Sequence, residues 1–374
     1  MKKIILTLTA VLAAGPAMAS KGRLSALGQN VNGSYYIQDH RNIFLNPAAI
    51  NQVGKLLNFE LGSAISNSAP KVATTPNAEG GATYKAGGFN VGVQLGREGM
   101  VFDRIDTANS LLGASTFILP QNTIEAIMGK NNWGVSLYYA DSAQDTGTPN
   151  NKPDEEAHVI TVRGGLIEKN FEVNAYLDLM EEAKHEETTT ANNRKYNGNF
   201  NLGAGGVYRL SNTAEIVGHL DRGDFEIDAN GTKTKIKSIT VSSEYVMKVQ
   251  TQKRADIYLA AGLLYSTAKI DYSGATTDVD LDAIAIPVTL TVEAKANSWL
   301  TIRASAKQNT FINHQNTTDG TNKVKNLNLE STSVAAGLGI DLGDFQLDGT
   351  LAGSTTGVVN ANSLLANASL SYSF

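Results

Sequence analysis

The chain has no cysteine, eight prolines among 374 residues, and only 7% aromatic residues. Without cysteine there is no disulfide framework, no thiol nucleophile and no thiolate metal site. Nowhere after the N-terminus do ~18 apolar residues follow one another, which excludes transmembrane helices. The formal charge of −5 lacks the basic surplus that nucleic acid calls for. His40, His158, His185, His219 and His314 fall in separate segments without metal-ligand spacing. No serine sits in a Gly-x-Ser-x-Gly context. The sequence therefore reads as neither enzyme nor metalloprotein, and no cofactor is called for. Arg222-Gly223-Asp224 falls at a strand end, where a solvated rim is the simplest account.

What is there begins with a leader. Lys2 and Lys3 precede an apolar run from Ile4 to Ala14, and Ala17-Met18-Ala19 stands before Ser20. That is the layout of a secretory signal peptide, with cleavage expected after Ala19. From about residue 54 onward, apolar and polar residues alternate. Phe89, Val91, Val93 and Leu95 face one way in one run, and Trp133, Val135, Leu137 and Tyr139 in another. Phe171, Val173, Ala175, Leu177 and Leu179, then Ile284, Ile286, Val288, Leu290 and Val292, repeat the pattern. A period of two places successive side chains on opposite faces of a strand, and ~10 residues cross a bilayer as a tilted strand.

The connections sharpen the reading. Tight polar turns near residues 86–88, 130–132, 168–170, 211–212, 251–253, 296–298 and 342–344 alternate with longer polar stretches. The longer ones lie near 66–79, 98–121, 141–156, 181–195, 226–235, 269–281, 308–325 and 352–362. One tight rim and one looped rim are the outer-membrane barrel pattern. The expected fold is an all-β transmembrane antiparallel up-and-down barrel of about 16 strands, with 14 as the alternative count. The expected division is a leader at 1–19, a plug or hatch at 20–53 and the barrel at 54–374.

With apolar residues toward lipid, the lumen receives Glu60, Lys85, Glu125, Arg163, Glu172, Asp178, Arg209, Glu215, His219, Asp221, Glu244, Lys248, Asp256, Glu293, Arg303, Lys307 and Asp348. Acids outnumber fixed bases there. A wet lumen tolerates such charges, and an acidic one raises the local cation concentration. An ion-pair lattice that stiffens the wall is the competing account of the same residues.

The last strand ends on Leu370, Tyr372 and Phe374 at alternate positions. This resembles the carboxy-terminal signal of Gram-negative outer-membrane proteins, which implies recognition by the barrel-assembly machinery. Ahead of the first strand, Asp39 is followed by Asn46-Pro47-Ala48. That segment is similar to the N-terminal hatch of FadL-type transporters of hydrophobic compounds. It differs in having Ala49 where those proteins usually carry glycine, and 14 strands is their number.

Three functions remain open to the sequence. The leading one is a porin-like channel for passive diffusion of small hydrophilic solutes and ions, weakly preferring cations. A homotrimer is compatible with it. The second is a FadL-like transporter gated by the hatch, with the apolar residues Leu111, Leu112, Phe117, Ile118 and Leu119 collecting its substrate. The third is a structural or adhesive barrel with a filled lumen. In each the chain lies in the outer membrane, among its lipid and lipopolysaccharide.

Overall fold

A computed structural model describes residues 20–61, 78–99, 101–113, 117–145, 154–187, 193–252, 255–273, 278–318, 322–325, 332–354 and 367–373. The leader and Phe374 lie outside the described residues, as do most of the 66–79 and 352–362 stretches.

Sixteen strands close into one antiparallel barrel. They are β1 (Leu56–Leu61), β2 (Ala78–Ala86), β3 (Phe89–Leu95), β4 (Asn122–Lys130), β5 (Trp133–Asp145), β6 (Asp154–Ile167) and β7 (Phe171–Glu186). β8 comes in two pieces, Arg194–Gly198 and Leu202–Arg209, both lying between β7 and the next strand. Then follow β9 (Ala214–Ala229), β10 (Thr232–Gln252), β11 (Ala255–Tyr272), β12 (Val279–Lys295) and β13 (Leu300–Thr318). β14 is again divided, into Asn322–Lys325 and Thr332–Asp341, and β15 (Phe345–Ser354) and β16 (Asn367–Ser373) complete the wall. Closure is made by β16 on β1, in a register that sets Leu56 opposite Ser373 and Leu61 opposite Ala368.

The faces are inverted relative to a soluble protein. Phe59, Leu61, Val93, Leu95, Val135, Leu137, Val173, Leu263, Leu290 and Leu338 point outward and are exposed. Glu60, Glu125, Arg163, Arg303 and Asp348 point inward and are buried. Only hydrocarbon on the outside makes that arrangement favourable. At the tight-turn rim Trp133, Phe171, Tyr208, Trp299 and Phe345 form a girdle, with Phe89 edge-on to Trp133 and Phe345 stacked on Tyr372. Amphipathic rings suit a membrane–water boundary.

The looped rim departs from the sequence reading. The described residues of the stretches 141–156, 181–195, 226–235, 269–281 and 308–325 are largely strand. Asp228 to Thr232 form a two-residue hairpin through Asn230 and Gly231, both at positive φ. β10 reaches 21 residues, about twice a bilayer crossing. The wall therefore rises beyond the membrane. There its outer face carries Lys233, Lys235 and Lys237 while Ile236 points inward. Water on the outside favours charge there, so the alternation is kept and its sense reversed.

Candidate functional site

Two inserts pack against the inner wall of the barrel. The first is the N-terminal segment, here called the hatch. It comprises α1 (Lys21–Ala26), 3-10 turns at His40–Phe44 and Pro47–Ala49, and α2 (Ile50–Val53). Its sequence explains its turns. The Ser20 hydroxyl accepts from the Arg23 amide and the Asp39 carboxylate from the Arg41 amide, each capping the turn that follows. Asn46 accepts from the Ala48 amide, and Pro47 occupies the first helical position, where its missing N–H costs nothing.

The hatch lies on glycine. Gly129 of β4, Gly134 of β5 and Gly165 of β6 stand side by side on one rung of the inner wall. A Cβ on Gly134 would overlap the Pro47 carbonyl and the Ala48 amide, and one on Gly165 the Asn46 side chain. One on Gly129 would lie 2.6 Å from Ile50 Cγ2. Polar neighbours continue the rung. Asn90 donates to Asn51 at 2.8 Å, and Asn174 donates to the Tyr35 hydroxyl at 2.8 Å. Asn51 also donates to the Trp133 carbonyl at 2.9 Å. Bare backbone at this rung lets the hatch chain approach the sheet as closely as a neighbouring strand would.

Around the rung, wall carboxylates receive hatch cations. Arg41, wholly buried, pairs with Glu60 at 2.8 Å and with Glu79. Lys21 lies 3.5 Å from Glu79. Arg23 forks onto Glu293 with both contacts at 2.8 Å and reaches Asp39 at 3.2 Å. Arg303 joins Glu293 at 2.7 Å to Asp348 at 2.5 Å. Burial pushes the Asp39 carboxyl above its usual range, with Arg23 offsetting only part of that. The Phe44 ring receives Arg41 and Arg97, with guanidinium carbons 4.9 and 4.8 Å from its centre. Arg97 in turn pairs with Glu125 at 2.6 Å, as Arg163 does at 3.0 Å.

The second insert is the stretch 98–121. Its apolar residues form α3 (Val101–Leu112), which packs inside the barrel toward the looped rim. Val101, Phe102, Ile105 and Ala108, with Phe117 and Leu119, meet an apolar stretch of inner wall. That wall is Tyr138 and Ala140 of β5, Ala157 and Val159 of β6, Ala183 of β7, Tyr196 of β8, Phe225 and Ile227 of β9, and Ile236 of β10. One charge fixes the helix: Arg104 pairs with Asp178 and Glu181.

The inward-facing residues read from the sequence thus have several roles. Glu60, Glu293 and Asp348 hold the hatch, with Arg303 bridging the last two; Glu125 holds Arg97 and Arg163 together, and Asp178 holds α3. Glu172 pairs with Arg209, and Lys248 with Asp256 at 2.9 Å. Asp221 accepts from the Tyr176 hydroxyl. Glu215, His219, Glu244 and Lys307 are half-buried on the inner wall, and Lys85 is exposed at the turn rim. His158 and His185 lie among carboxylates near the looped rim, and no metal-binding cluster occurs among the described residues. Sequence reading missed the insert cations Arg23, Arg41 and Arg104, Arg97 just ahead of the second insert, and the glycine rung. The signal for the rung was available, since Gly129, Gly134 and Gly165 all fall on the inward parity of their strands.

No family model matches the chain, and no curated protein matches it in sequence. Solved structures of similar shape include the CymD monoaromatic hydrocarbon channel, at 9% identity and a TM-score of 0.42, covering 95% of this chain and 98% of that one. A Pseudomonas aeruginosa FadL homologue gives 11% identity, 0.42, 95% and 98%. OmpT, an outer membrane protein of Vibrio cholerae, gives 13%, 0.37, 85% and 95%.

Proposed function

We propose that the chain is an outer-membrane transporter of small hydrophobic compounds, with α3 over the entry and the hatch as the gate. The observation that supports this reading is the apolar inner wall near the looped rim. A channel for hydrophilic solutes needs polar groups where Ala140, Ala157, Val159, Ala183, Phe225, Ile227 and Ile236 stand. A hydrophobic passenger would replace α3 against that wall and continue once the hatch left its glycine rung. Both inserts lie across the bore, which weighs against the open-pore alternative. The leader, the terminal aromatic pattern and the lipid-facing belt support export and assembly into an outer membrane, beside lipopolysaccharide.

The experiment pairs planar-bilayer conductance with binding of a small apolar fluorophore to the refolded barrel. The reading expects little conductance and saturable binding that Ile105→Ser alters. Steady conductance without fluorophore binding would restore the porin. A second reading, a barrel filled for structural reasons, draws support from the close packing of α3 on the wall. It expects neither conductance nor binding.

A further inference from the structure

Ser20 is the first described residue, and it is wholly buried. Its hydroxyl donates to Asp348 at 3.1 Å, and the next amide, that of Lys21, donates to Glu60 at 2.7 Å. Both carboxylates are themselves buried. Thr350 donates to the Gly22 carbonyl, so the first three residues are all fixed to β1 and β15.

The charges around this point do not balance. Arg23 and Arg303 face Asp39, Glu293 and Asp348 in one continuous set, two bases against three acids. The adjoining set has Lys21 and Arg41 against Glu60 and Glu79, with the His40 imidazole 3.7 Å from Glu60. Glu79 Oε2 is buried and meets Lys21 Nζ at 3.5 Å, longer than a strong hydrogen bond. An uncompensated carboxylate in such a place is strongly unfavourable. The excess acid lies where the chain of an exported protein would begin.

We propose that the α-ammonium of Ser20, created by removal of the leader, is the cation that completes this buried set, so that leader cleavage drives hatch docking. A leader peptidase hydrolyses the Ala19–Ser20 amide. Water supplies the hydroxyl that leaves Ala19 as a carboxylate, and the freed nitrogen takes up protons. An α-amine titrates at about 8, so the new terminus is cationic at neutral pH. An amide nitrogen at the same place carries no charge and leaves the acid uncompensated. The unprocessed chain would then close its barrel while its hatch stays loosely held. The proposal does not depend on what the barrel carries.

The chain contains no cysteine, so a single Ala48→Cys on the hatch reports docking by its rate of thiol labelling. The mature chain beginning at Ser20 is refolded with its α-amine either free or acetylated, and barrel closure is checked by heat-dependent gel mobility. Acetylation is expected to speed labelling by at least about tenfold while the barrel stays closed. Asp348→Asn in the acetylated chain is expected to restore slow labelling, because it removes the surplus acid. Equal labelling of the free and acetylated chains would overturn the proposal. So would an acceleration that Asp348→Asn leaves unchanged, since the bulk of the acetyl group would then be its cause. As an independent readout, the α-amine of the folded chain should resist acylation and react once denatured. Equal reactivity in both states overturns the idea as well.

Discussion

The hatch and α3 are held inside the same barrel by opposite means. The hatch is held by direction-dependent contacts, with guanidinium forks onto carboxylates, amide side chains onto backbone, and a chain lying on bare glycine. α3 is held by side chains packed on an apolar wall, plus the one charge of Arg104. Directional contacts fix a single position and fail together when one partner is lost. Apolar packing is non-directional, so another apolar body of similar size can take the helix's place. The difference places directional contacts on the turn side and exchangeable packing on the loop side, the combination that the proposed gate and entry would need.

Removing one hatch cation should break the comparison most severely. Arg41→Met leaves Glu60 and Glu79 buried without their shared partner, a loss of about 3–5 kcal/mol. Ala48→Cys labelling should rise by at least about a hundredfold, while α3, followed through Ala108→Cys, stays protected. Labelling that rises equally at both positions would mean that the inserts undock as one unit. Next in size is the apolar counterpart. Ile105→Ala deletes a wholly buried side chain, at about 2–5 kcal/mol, and should expose Ala108→Cys but not Ala48→Cys.

These contrasts also show what the sequence could tell. The membrane-crossing strands were legible because hydrocarbon outside and charge inside force a two-residue period, as in Val91, Val93 and Leu95. The rise beyond the membrane was read as loops because the outward residues there are Lys233, Lys235 and Lys237, which resemble a solvated run. On the inward face, Ile236 of β10 opposite Phe225 of β9, with Ile227 beside them, completes a hairpin whose apolar face has changed sides. That change needs a buried apolar insert inside the barrel. The 98–121 stretch supplies it, but only pairing in space connects the two. The ion pairs of Arg23 and Arg41 were illegible for the same reason, since their partners lie far along the chain, up to Glu293. Asn46-Pro47-Ala48 was noticed as a motif, whereas its seat of three glycines appears only once β4, β5 and β6 are in register.

Gly134→Ala tests that seat with a smaller change. The added methyl meets the Pro47 carbonyl and the Ala48 amide, which are backbone and cannot rotate away. Overpacking of this kind costs about 1–3 kcal/mol. Hatch labelling should rise by about tenfold or more with the barrel closed, and Gly164→Ala, where a Cβ meets nothing, is the matched control. Equal effects at the two glycines would remove the rung from the account.

The smallest expected effect concerns Asp39. Its carboxyl titrates above the ordinary range because burial disfavours its charge. The docked hatch therefore holds this proton more tightly than the undocked one. That contribution to docking is complete below about pH 4, where the carboxyl is protonated in both states. It is lost as pH rises through the docked value. Labelling of Ala48→Cys after a pulse at fixed pH should thus quicken modestly as the preceding incubation moves from acid to neutral. Asp39→Asn keeps a side-chain oxygen to cap Arg41 and should flatten that slope. If Asp39→Asn instead speeds labelling at neutral pH, Arg23 gains more from the Asp39 charge than burial takes away. The hatch would then be held by that pair as firmly as by Arg41.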